Sequence, residues 1–254
     1  MNNRNNFFNR NTQNDNYSYS QQYSDSYTQS GDFASYISGT YLWMFLGLAI
    51  TFGLSFYMTL NSASVTDFLV NNFELYLGGV IVSLVFVFVV GLLVYKLPPL
   101  AGKIIFILYS ADMGIILTPT LLLYEFDSVI SVFAVTGLIY LALAFIGLTT
   151  KRDMSKFGYI LSISLIGILI YSFISMFFIR TPLNNLIINI IVILIFMGFT
   201  VYDNFRIKEN FRAIQNSGNI QLLEKSSILS ALSLYMDYVN LFIRILAIFG
   251  KRRD

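Results

Sequence analysis

The stretch SLYMDYVNLFIRIL (233–246) reads as a lipid-soluble helix that nevertheless keeps an aspartate, an asparagine and an arginine. Asp237, Asn240, Leu241 and Arg244 are spaced so that they share one face of a helix. A stripe of carboxylate, amide and guanidinium makes a poor lipid face. An aspartate at the centre of a membrane helix costs roughly 2.5–3.5 kcal/mol on insertion scales. The stripe therefore has to look into a bundle, and the rest of the chain has to supply the other helices.

Composition agrees. Of 254 residues, 56% are hydrophobic and 12% charged, with a mean hydropathy of +0.67. A soluble domain carries about 25% charged residues, so this chain has too little polar material to coat a globule. Its 17% aromatic residues suit a protein anchored at membrane interfaces. The expected class is an all-α membrane protein whose first partner is the lipid bilayer. A net charge of +2 offers no case for a nucleic-acid partner. There is no cysteine and no histidine, so thiolate sites, disulfides and imidazole bases are excluded. Any pH response falls to carboxylates, and any metal should be a hard cation held by oxygens. No resident cofactor is expected.

Residues 1–36 form an Asn/Gln/Ser/Tyr-rich segment with few aliphatic side chains. It cannot bury enough apolar surface to offset its ordering entropy and is expected to be a disordered tail; it lacks the basic start and apolar run of a signal peptide. Residues 37–254 are expected to form a seven-helix transmembrane domain. Apolar runs of spanning length, about 20 residues each, fall at 39–60, 74–95, 103–124, 128–148, 157–179, 184–205 and 230–250. A short interfacial helix is expected around 218–228. Basic residues flank the even-numbered connections: Lys96 and Lys103, then Lys151, Arg152 and Lys156, then Arg206, Lys208, Arg212 and Lys225. The first and third connections have none, which places the N-terminus in the cytoplasm and, with seven spans, the C-terminus outside. The tail KRRD (251–254) conflicts with that assignment, and six spans plus a re-entrant last segment would remove the conflict.

Three aspartates fall within the apolar runs: Asp112, Asp203 and Asp237. Asp203 lies toward the cytoplasmic end of its span, where Arg206 and Lys208 also suit a plain interfacial role. Asp237 is flanked by apolar turns on both sides. If its helix begins near Ser230, it lies about 10 Å in, deeper than Asp203. Asp112 has two readings, a hydrogen bond to a Ser or Tyr of a neighbouring helix or a place on a pathway. Pro119 predicts a kink that frees carbonyls in the same span. Arg180 reads as a snorkelling anchor. Two carboxylates meeting in a poorly solvated site cannot both ionise cheaply, so an Asp203/Asp237 pair would share one proton and titrate as a unit. Ionised, it is a transient oxygen site for Ca²⁺. No hydrolytic motif accompanies the acids: VYD (201–203) supplies half of an intramembrane aspartyl protease signature, and GxGD is absent. The chain is not expected to be an enzyme.

FMGFTVYDNFRI (196–207), then ILSALSLYMDYVNLFIRILAIFGKRR (228–253), and upstream VFAVTGLIYLALAFIGLTTKRDMSKFGYIL (132–161) resemble the Bax inhibitor-1 family, also called the transmembrane BAX inhibitor motif family, over residues 38–250. The resemblance implies a seven-helix fold in a bacterial plasma membrane and a pH-sensitive calcium leak, with Asp203 and Asp237 matching the family's aspartate sensor. It also implies an alternative, a regulator of a membrane-bound AAA protease. A proton-coupled solute transporter ranks third. Asn204 and Phe205 replace the family's Thr-Gln. Some relatives latch the first aspartate with an arginine on the second helix, where this chain has no basic residue. Lys96 and Arg244 are the candidate substitutes, with Asn240 in support.

Overall fold

A computed structural model describes the backbone of residues 5–93, 96–179, 181–215 and 220–253, and the side chains of 32–83, 96–179, 181–215 and 221–253. It is all helix: α1 (Asn5–Leu60), α2 (Ser62–Asn71), α3 (Phe73–Leu93), α4 (Pro99–Leu122), α5 (Phe126–Thr149), α6 (Ser155–Phe178), α7 (Pro182–Gln215) and α8 (Ile220–Phe249). The chain divides at Gly39–Thr40, and the packing below is that of Thr40–Asp254. Helix α1 starts at Asn5, within the stretch expected to be a tail.

Among the described residues eight helices replace the expected seven, and six of them are long and apolar enough to cross a membrane. The added helix is α2, ten residues in the first connection with no buried residue. The expected span 74–95 coincides with α3, whose part with described side chains, Phe73–Ser83, is apolar but too short to be among those six. The separate interfacial helix expected near 218–228 does not form. Those residues, from Ile220 on, are the first turns of α8, because nothing in QLLEKSSILS (221–230) breaks a helix. Arg180 lies outside the described residues.

Helix α8 is the centre of the bundle. Of its apolar window 56% is buried, against 17% to 33% in the other five candidate spans. Leu234, Tyr235, Leu241, Phe242 and Leu246 are wholly enclosed, and Phe242 meets Phe52 of α1 edge to face at 4.9 Å. This is why α8 tolerates polar residues: protein, not lipid, surrounds it. Its polar groups join it to its neighbours, Tyr235 Oη with Thr51 Oγ1 of α1 at 2.6 Å and Tyr238 Oη donating to the Phe133 carbonyl of α5 at 2.9 Å. Side chains on the outward faces of α5 and α6, such as Leu138, Phe145, Tyr159 and Phe173, are exposed, as a lipid-facing surface requires.

Small residues let the backbones close in. Gly147 of α5 lies directly against the Val201 carbonyl of α7, and a Cβ there would sit 2.7 Å from Asn204 Cβ. Helix α4 continues through Pro119 to Leu122. The carbonyls near that proline are used between helices: Ser55 Oγ donates to Gly114 O at 2.6 Å and Tyr76 Oη to Ile116 O at 3.1 Å.

The C-terminus is pinned. Lys251 to Arg253 run antiparallel to Leu123–Glu125, with Glu125 N donating to Lys251 O at 2.8 Å and Arg253 N to Leu123 O at 3.0 Å. Lys251 Nζ pairs with Glu125 Oε1 at 2.7 Å. The basic tail thus shares its side with the acidic α4–α5 connection, and α8 needs no re-entrant turn. The basic tail still counts against an outside C-terminus, because acidic residues such as Glu125 weigh little in that rule.

Candidate functional site

Helices α7 and α8 run antiparallel and pair along much of their length. On α8, Ser226, Ser230, Ser233, Asp237, Asn240 and Arg244 recur at alternating spacings of four and three, a polar seam along one face. At one end of the seam Asp203 lines a cavity of ≈ 20 Å³ with Arg206, Asn210, Leu229, Ser230 and Ser233. At the other end Arg244 Nη1 donates to Asn189 Oδ1 of α7 at 3.1 Å. These two crossings are fourteen residues apart on each helix, about 21 Å of rise.

Asp237 lies between them, 4% exposed, one turn beyond Ser233. Helical side chains lean toward their own N-terminus. On antiparallel helices this turns Asp203 and Asp237 toward each other, and each carboxyl lies within electrostatic reach of the other. Among the described residues no donor reaches Asp237 Oδ2, and the only other buried side-chain atom in that condition is Tyr140 Oη of α5. The two are neighbours: Tyr140 feels the charges of Asp237 and Asp203, with Tyr41 and Asn204 alongside. Tyr41 Oη of α1 donates to Asn204 Oδ1, and Asn204 Nδ2 donates to the Thr200 carbonyl at 2.7 Å. Four helices thus bring Tyr41, Tyr140, Asp203, Asn204 and Asp237 into one enclosed polar cluster.

The remaining candidates lie elsewhere. Asn240 Nδ2 donates to the Met236 carbonyl of its own helix at 2.8 Å. Arg244 points at Asn189, toward the opposite end from Asp203. Lys96 is exposed in the α3–α4 turn. No ion pair joins Lys96 or Arg244 to Asp203 or Asp237 among the described residues, and Arg206, on the same helix as Asp203, is the cation whose charge reaches that acid. Asp112 accepts a hydrogen bond from Ser83 of α3, the geometry of the packing alternative. No group of three or more His, Cys, Asp or Glu side chains converges among the described residues, so two carboxylates are all the acid this cluster offers a cation.

Sequence reasoning missed Tyr41 and Tyr140. The signal was available for Tyr140: a lone hydroxyl amid GLIYLALAF (137–145) faces the same need for a partner as a lone acid. Nothing local marked Tyr41.

Residues 34–254 match the family model described as "Inhibitor of apoptosis-promoting Bax1". The chain is 36% identical over 219 residues to inner membrane protein YbhL of Escherichia coli (strain K12), covering 86% of this chain and 92% of that protein. It is 35% identical over 183 residues to a membrane protein of Streptococcus pyogenes serotype M1, covering 72% and 77%. A protein of Borreliella burgdorferi is 28% identical over 211 residues, covering 83% and 89%. The chain belongs to the Bax inhibitor-1 family of integral membrane proteins.

Proposed function

We propose that this Bax inhibitor-1 family member is a calcium leak whose conductance is set by protonation of the Asp203/Asp237 pair, with the basic end of the bundle in the cytoplasm. One observation carries the reading: a carboxylate oxygen sealed inside a helix bundle with no donor in reach. A carboxylate in that position must hold a proton of its own or borrow a cation, because leaving it bare costs more than a bundle of this kind tolerates. A structural aspartate would instead be expected to come with its donors, as Asp112 does with Ser83.

The chemistry follows from the neighbours. With one of the two protonated, Asp203 and Asp237 do not repel each other across α7 and α8. When that proton leaves, two charges face each other, and Tyr140 offers a hydroxyl within electrostatic reach of Asp237. Calcium enters as cargo passing paired oxygens, a role that needs fewer ligands than a resident site.

Reconstituted in dye-loaded vesicles, the protein should pass Ca²⁺ at a rate that changes across roughly pH 5.5–8. Asp203→Asn combined with Asp237→Asn should flatten that profile. An unchanged rate and profile in the double variant ends the proposal. Inert vesicles together with a stoichiometric co-purifying protease would favour the regulatory reading.

A further inference from the structure

A second site lies at the opposite end of the seam. The end of α6, the start of α7 and the end of α8 enclose a cleft of ≈ 810 Å³, far larger than the space beside Asp203. Its polar lining is Ser172 and Ser175 from α6, Asn185 and Asn189 from α7, and Arg244 and Arg252. Among its described lining residues none is acidic, and neither guanidinium meets a carboxylate elsewhere among the described residues. Arg244, half-buried in the cleft lining, has the Asn189 amide oxygen as its partner for one of its five donors. Arg252 is held over the same space by the pairing of the tail with the α4–α5 turn. The first turn of α7, contributing Pro182 and Asn185, adds the positive end of a helix dipole.

Two guanidiniums, side-chain amides and hydroxyls around an open volume form a donor set with one charge missing. The unmet need is negative. A cation is excluded by the two fixed positive charges, and an apolar ligand would strip water from them without replacing it.

We propose that this cleft binds a phosphate-type oxyanion, with Arg244 and Arg252 as its two guanidinium ligands. Planar forks match phosphate oxygens in pairs. The cleft sits at one membrane-facing end of the bundle, beside the α6–α7 connection and the C-terminal tail, so the phosphate can come from a lipid headgroup or from solution.

Two measurements on the purified full chain separate those sources. The first is thermal melting against sodium phosphate, with sodium chloride at matched ionic strength as the reference. The second is native mass spectrometry with added phosphatidylglycerol, compared with phosphatidylcholine. Wild type should give a saturable phosphate-specific stabilisation, selective retention of the anionic lipid, or both. Arg252→Gln should weaken either response roughly tenfold or more. Its ligand-free melting should be unchanged, since only the Arg252 backbone pairs with Tyr124. Arg244→Lys keeps the charge but loses the fork, and should fall between wild type and Arg244→Gln. A phosphate response alone assigns a soluble anion, and lipid retention alone assigns a headgroup. If wild type shows neither response, or if Arg252→Gln and Arg244→Lys both match wild type, the site does not exist.

Discussion

The two ends of the α7–α8 pair are built from the same materials to opposite effect. At the Asp203 end an acid sits beside Arg206, α5 packs closely on the α7 backbone at Gly147, and the space beside the acid holds about one water. At the Arg244 end the charges are positive, and the helices part around hundreds of cubic ångströms. One seam of residues spaced four and three apart runs through both. The contrast shows that a polar stripe on a buried helix does not by itself define a pore or a packing device. What the neighbouring helices place against each stretch decides it: glycine and tyrosine at one end, serine and asparagine at the other.

The difference in packing is the strongest claim and breaks first if wrong. Gly147→Val should cost about 1–3 kcal/mol or more, because its Cβ meets the Val201 backbone, which cannot turn away. Ala247→Val, which adds two carbons at the edge of the cleft where Gly147→Val adds three, should change stability by about 0.5 kcal/mol or less. Equal losses in detergent melting would erase the contrast between a closed and an open end.

The acid cluster gives the next effect. If Asp237 is held for its proton rather than for packing, Asp237→Asn should leave unfolding stability within about 1 kcal/mol of wild type while shrinking the change in melting temperature between roughly pH 6 and pH 8. A loss of several kcal/mol with the pH dependence intact would make it a packing residue. Tyr140→Phe removes the other unpartnered atom and should be neutral or slightly stabilising in the same assay.

Smaller effects belong to the surface. Lys251→Gln removes the pair with Glu125, which is 73% and 38% exposed on its two side chains. It should cost at most about 1 kcal/mol, with the loss fading at high salt. Asp153, in the α5–α6 turn, accepts from Ser155 N at 2.9 Å and Ser155 Oγ at 2.7 Å. These bonds favour its charged form and lower its pKa below 3.8. A lowered folded-state pKa stabilises above the unfolded value and is lost as pH falls through the folded one. Fraying at the start of α6, read by amide exchange, should therefore rise only below about pH 4, and Asp153→Asn should show it at neutral pH.

Much of this was legible residue by residue. SLYMDYVNLFIRIL announced an inward-facing helix because an acid and an arginine at helical spacing cannot both face lipid. The apolar runs located the bundle's helices. The expected start of α8 was ten residues late, because hydropathy falls in QLLEKSSILS although nothing there stops a helix. SLYMDYVNLFIRIL also carries the family's motif.

By itself the sequence determined the solvent of this protein, its helical content and its family, since apolar length, periodicity and motif are properties of consecutive residues. Only the tertiary structure decided that α8 is the central helix, that Tyr41 and Tyr140 close around the aspartates, that the KRR tail docks on Glu125, and that two arginines share a cleft. Each of these joins residues from helices far apart in the chain. Such contacts follow from how whole helix faces fit together, which no local pattern encodes.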